Sequence, residues 1–129
     1  DLTVANDTSN NVSVLIGNGA ASLFGTAASY STGPTPKGIV MGDINGDGRL
    51  DILTAYINGN YPDLVNPGGN SVSILLGNGD GTLRSAVDYA FGQAPFGLAL
   101  GHLNADTKLD LVASNWHDSG VTVRLGTSS

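Results

Sequence analysis

Gly38-Ile39-Val40-Met41-Gly42-Asp43-Ile44-Asn45-Gly46-Asp47-Gly48-Arg49-Leu50-Asp51-Ile52-Leu53-Thr54-Ala55-Tyr56-Ile57 reads as a strand, a loop and a second strand. Both apolar arms are short and rich in residues that suit a pleated sheet, and neither carries helical periodicity. Between them, Asp43, Asn45, Asp47 and Asp51 alternate with small or apolar residues, which sets several oxygen donors around one point. Calcium takes about 6–8 such oxygens in a tolerant geometry, and donors at alternate loop positions, with one backbone carbonyl among them, can wrap the ion. Here that carbonyl is Arg49's. Gly48 supplies a sharp turn that a residue with a Cβ resists. Thr54 stands where the closing Glu of an EF-hand would be, and the flanks are strands, so the loop joins neighbours in a sheet. An Asp/Asn/Gly loop can also hold itself through side-chain to backbone hydrogen bonds. Three carboxylates within nine residues nevertheless repel one another without a cation.

The rest of the chain repeats this pattern. Asp1-Leu2-Thr3-Val4-Ala5, Asp51-Ile52-Leu53-Thr54-Ala55 and Asp110-Leu111-Val112-Ala113-Ser114 match one another. Each is followed by an apolar strand ending in Gly: Val12 to Gly17, Val72 to Gly77 and Val121 to Gly126. Asn18-Gly19 and Asn78-Gly79-Asp80-Gly81 then supply turns, and further strands are expected around Leu23 to Tyr30 and Leu83 to Phe91. Links containing Pro34, Pro36 and Pro95 lead into Gly38 to Gly42 and Gly97 to Gly101. One unit is therefore four antiparallel strands, and its repetition predicts β-propeller blades, with a two-sheet sandwich as the competing architecture. The insertion from Asn58 to Asn70 lengthens the middle unit.

Composition agrees with an all-β chain. All 11 acidic residues are Asp, Glu is absent, and 19 Gly supply turns. A net charge of −6 with 5 basic residues argues against nucleic acid as a partner. The chain lacks an apolar run of the roughly 18 residues that crossing a membrane as a helix requires, so no membrane insertion is expected. Cys is absent, which removes disulfides and thiolate sites.

Gly42 to Leu53, followed by Val72-Ser73-Ile74-Leu75-Leu76-Gly77-Asn78-Gly79-Asp80-Gly81-Thr82-Leu83, resembles the FG-GAP/VCBS repeat family, which includes the propeller of integrin α chains and bacterial secreted or surface proteins. The resemblance implies calcium in the loop between a blade's first two strands, held by Asp43, Asn45, Asp47, the Arg49 carbonyl and Asp51. It also implies an extracellular or cell-surface module used in adhesion, in glycan binding, or as an accessory segment of carbohydrate-active enzymes.

The third loop departs from this pattern. His102 replaces Asp43 and Thr107 replaces Gly48, leaving Asn104, Asp106 and Asp110 as a weak or degenerate metal set. A zinc site of His102, Asp106 and Asp110 is the less favoured alternative. Asp1 reads as the remnant of a loop whose other ligands are missing.

The chain is expected to be a single repeat region over 1–129: a partial blade (1–33), a complete blade (34–92) and a partial blade (93–129). Ten strands in these units do not close a ring of about 4–8 blades, so other blades or copies of the same chain are expected partners. The chain is then an excerpt of a longer propeller, one of several copies that complete each other, or part of an open array. Tyr61, Trp116, His117 and Asp118 are the possible ligand face, since aromatic rings beside carboxylates and amides grip sugars. No catalysis is expected: Ser114 and Ser119 near His117 sit in no nucleophile motif, although paired carboxylates acting across blades could serve glycoside chemistry.

Overall fold

A computed structural model describes residues 1–19, 23–57 and 70–127, with the Asn70 side chain excepted. They form an all-β structure of three antiparallel sheets. The first holds β1 (Leu2–Asn6), β2 (Asn11–Leu15) and β3 (Ala28–Ser31). The second holds β4 (Pro36–Gly42), β5 (Asp51–Ile57), β6 (Asn70–Leu75) and β7 (Val87–Ala90). The third holds β8 (Pro95–Gly101), β9 (Asp110–Asn115) and β10 (Val121–Arg124). In each sheet the strands lie side by side in chain order.

The repetition extends to register. Leu2 pairs with Leu15, Ile52 with Leu75 and Leu111 with Arg124. In every case the residue after the strand-heading Asp meets the residue two before the Gly that follows the partner strand. The β4–β5 and β8–β9 pairs also share an irregularity, between Pro36 and Ile39 and between Pro95 and Leu98. A Pro at the head of β4 and of β8 removes one donor from the ladder, which fits a break in register there.

The expected strands at Leu23 to Tyr30 and Leu83 to Phe91 are shorter than their sequence suggests. Regular pairing is confined to β3 and β7, and the preceding residues contribute only the single bridges Gly17↔Phe24 and Gly77↔Leu83. Leu23 at φ 63° explains part of this, because a left-handed residue cannot continue a ladder.

The core sits between the sheets, not within one pair of them. All seven residues of β5 are buried. Ile52 packs with Val12, Val14 and Leu75 toward the first sheet, while Leu53 packs with Val72, Phe91, Leu111 and Ala113 toward the third. Side chains alternate across a strand, so one β5 strand serves both interfaces. A middle sheet covered on both faces distinguishes this stack from a two-sheet sandwich. Glycines let β4 approach β8: a Cβ at Gly38 would lie 2.3 Å from the Phe96 carbonyl oxygen, and one at Gly42 would lie 2.6 Å from Leu100 Cδ1.

Candidate functional site

The β4–β5 loop is built on Asp43. Its Oδ1 accepts the amides of Gly46 (2.7 Å) and Asp47 (3.0 Å), and its Oδ2 accepts Gly48 (2.7 Å). Such a wrap requires Gly46 and Gly48 at φ +79° and +82°, a region that side chains resist. Asn45 Oδ1 accepts the Asp47 amide at 2.9 Å, and Asp47 Oδ1 accepts the Arg49 amide at 3.0 Å, so the loop is a chain of Asx turns. The amides, Gly48's first, hold the Asp43 carboxyl below its ordinary value, and the charge of Lys108 adds to this.

Asp51 is different in kind. It is fully buried at the head of β5, its Oδ2 accepts the Ile44 amide at 3.1 Å, and its Oδ1 accepts the Gly77 amide at 2.9 Å. The same clasp occurs in the other sheets. Asp1 Oδ1 accepts Gly17 N at 2.8 Å, and Asp110 accepts Gly126 N at 2.8 Å and Leu103 N at 2.6 Å. Asp1 therefore has a present role that does not need a loop before it. This clasp went unread in the sequence. Its signal is that each Asp heading a strand has a Gly two residues past the end of the next strand. Gly is needed there: a Cβ at Gly77 would lie 2.2 Å from the Leu50 carbonyl oxygen, and one at Gly126 would lie 2.5 Å from that of Leu109.

The Asp51 and Asp110 clasps differ electrostatically. Burial pushes the Asp51 carboxyl up, and the charges of Asp47 and Asp43 push it further. The Asp110 carboxyl is held down, chiefly by the Leu103 and Gly126 amides. The ionised form is thus disfavoured at Asp51, despite the Gly77 and Ile44 amides, and favoured at Asp110.

Among the described residues, no three His, Cys, Asp or Glu side chains converge as a preformed metal centre. The Asp43, Asp47 and Asp51 carboxylates are instead directed at backbone amides. The donor set still fits a hard cation. It is all oxygen, each carboxylate has about four acceptor positions, and the hydrogen bonds above leave some on every one of these groups.

The loop at 102–110 keeps part of this skeleton without Asp43's counterpart. Asn104 Oδ1 accepts the Asp106 amide at 3.0 Å, and Asp106 Oδ1 accepts the Lys108 amide at 2.8 Å. His102 Nδ1 bonds the Lys108 carbonyl oxygen at 2.7 Å, the oxygen that corresponds to Arg49's in the first loop. Imidazole therefore bonds the oxygen that a calcium ligand set would use. Ala105 and Thr107 stand where Gly46 and Gly48 take positive φ, and neither does so.

On another part of the surface, Trp116 is 60% exposed and Phe96 43% exposed, with ring centroids 5.6 Å apart and planes tilted by 39°. Trp116 therefore does not fill space between the described sheets. Beside Phe96 lies a groove of about 330 Å³ lined by Asp7, Pro36, Lys37 and Gly38 among others, and Lys37 pairs with Asp7 at 3.1 Å. His117 is exposed. Asp118 holds the β9–β10 turn, its Oδ1 accepting Gly120 N at 3.2 Å and its Oδ2 accepting Asn115 Nδ2 at 3.4 Å. Tyr61 and the insertion it belongs to lie outside the described residues. Phe96 was missed in the sequence, where one aromatic residue in an apolar strand reads as core.

Three stacked antiparallel sheets, repeated in register and with Asp/Asn/Gly loops joining strands within the second and third, define an all-β repeat protein. Residues 1–54 match the FG-GAP-like repeat. That stretch spans the first sheet, β4, the loop at 43–51 and the start of β5. It includes Gly42 to Leu53 but not Val72 to Leu83, so residues 55–129 are tied to the same unit by internal repetition alone. No curated protein and no solved structure matches the chain.

Proposed function

We propose that this chain is a calcium-stabilised segment of β-propeller blades that works outside the cell or on its surface as a binding or structural module, in adhesion or as a scaffold, with no catalysis of its own. The observation that carries the reading is the loop at 43–51. An all-oxygen donor set of Asp43, Asn45, Asp47, the Arg49 carbonyl and the buried Asp51 joins two strands. Calcium, when bound, supplies charge neutralisation and fixes the strand-to-strand connection. The protein's own residues orient the donors: Gly46 and Gly48 allow the wrap around Asp43, and Asp51 anchors the loop to β5 and β6. Such a site fills most readily where calcium is abundant, which supports a secreted or cell-surface location.

The partners in this reading are other blades or copies of the same chain, together with a glycan or protein ligand. Apolar residues remain exposed on the flanking sheets, including Leu2 and Val4 on β1 and Val121 and Val123 on β10. Stacking further sheets there would bury them as β5 is buried. Isothermal titration with calcium tests the ion: one site per chain is expected, lost in Asp43→Ala. Absence of calcium heat in the parent would contradict the reading.

A lectin-like role is the second reading, favoured by the exposed Phe96–Trp116 pair beside a groove with charged walls. Aromatic faces stack on sugar rings while carboxylates and ammonium groups bond hydroxyls. On a glycan array, a lectin would show binding that drops at least tenfold in Trp116→Ala. A scaffold would show none that depends on Trp116.

A further inference from the structure

Lys108 belongs to the loop at 102–110, yet its side chain ends over the loop at 43–51. Its Nζ lies 3.2 Å from the point that a Cβ on Gly46 would occupy. The backbone that aims it is tied on both sides: the amide donates to Asp106 Oδ1 at 2.8 Å, and the carbonyl oxygen is bonded by His102 Nδ1 at 2.7 Å. Its Cβ also rests against the third sheet, 2.8 Å from the point a Cβ on Gly126 would take. Arg49, at the corresponding position of its own loop, goes elsewhere. It packs its stem over Gly79 and places Nη1 3.9 Å from Asp47 Oδ2. Lys108 thus carries a positive charge from one sheet's loop to the next sheet's loop.

The geometry points to Lys108 as the residue that sets how tightly the loop at 43–51 holds a divalent cation. This rests on the calcium reading of that loop. An ammonium beside the donors acts with opposite sign in the two states. Without the ion it relieves repulsion among Asp43, Asp47 and Asp51; with the ion in place it repels a charge of the same sign. Because Lys108 closes on no carboxylate in the ion pairs formed among the described residues, it works through its field, which salt screens. The His102 to Lys108 carbonyl bond keeps the lysine backbone in place, so the degenerate third loop acts as a mount for a charge that serves its neighbour.

Calcium titration of the parent, Lys108→Gln, Lys108→Met and Lys108→Arg at low ionic strength tests this. A unit charge several Å from a divalent ion in a wet site corresponds to about three- to tenfold in affinity. Lys108→Gln and Lys108→Met are expected to bind calcium tighter by that factor, Lys108→Arg to stay near the parent, and the differences to shrink as salt is raised. Neutral variants that bind no tighter than a calcium-binding parent would overturn the role of Lys108 while leaving the loop's calcium site standing. A parent that binds no calcium would overturn both. Lys108→Met keeps the aliphatic stem against Gly126, so the test survives if the Gln variant folds poorly.

Discussion

Asp51→Ala is expected to destabilise the protein by about 3–4 kcal/mol in calcium. The carboxylate is fully buried and joins the loop to two strands through the Ile44 and Gly77 amides. Truncation leaves both amides without an acceptor, at about 1–3 kcal/mol for each group that stays buried. In chelator the loss should be smaller, because the ionised group is itself disfavoured there by burial and by Asp47 and Asp43. Asp110→Ala is the matched control. It breaks the same clasp, to Leu103 and Gly126, in a loop where His102 bonds the carbonyl oxygen that a cation would need. Its effect, about 2–3 kcal/mol, should be the same with and without calcium. Denaturant unfolding of both variants under the two conditions checks this. A loss below about 1 kcal/mol for Asp51→Ala in both conditions would remove the clasp from the account. A loss seen only in calcium would leave Asp51 as a ligand and nothing more.

Asp47→Ala carries the second large effect. Asp47 is exposed and holds no other strand, its Oδ1 accepting only the Arg49 amide of its own turn. Its removal should cost little in chelator. In calcium it should abolish most of the ion's contribution, because stabilisation by a ligand follows its occupancy and reaches about 2.7 kcal/mol at a hundredfold excess over the dissociation constant. The melting temperature of Asp47→Ala in calcium should therefore fall to near the chelator value of the parent. A variant that melts equally far below the parent in both conditions would assign Asp47 to the turn alone.

Much of the fold was readable because three physical signals agree. Strands headed by Asp and partnered by strands ending in Gly recur three times, turns of Asn and Gly separate them, and nothing in the chain has helical period. The ten strands and their grouping follow. The lengths of β3 and β7 did not, since the segments before them look like strand but pair through one bridge each. The double role of Asp51 was hidden because a carboxylate in an Asp/Asn/Gly loop reads as a metal donor, and only the register of β5 against β6 reveals the Gly77 amide waiting for it. The aromatic surface was half legible. Trp116 stands out beside His117 and Asp118, whereas Phe96 joins it only through the packing of β8 beside the end of β9. In the third loop, His102 was visible as a lost carboxylate, but its bond to the Lys108 carbonyl, and the aim this gives the Lys108 side chain, are properties of the fold.

The most direct test of the central claim is the thermal melting of the unaltered chain in calcium and in chelator, at one ionic strength. The loop at 43–51, as a calcium site that ties β4 to β5, predicts a clear rise in melting temperature with calcium. Identical melting curves in the two buffers would contradict it, and would leave the loop as a turn held by its own Asx hydrogen bonds.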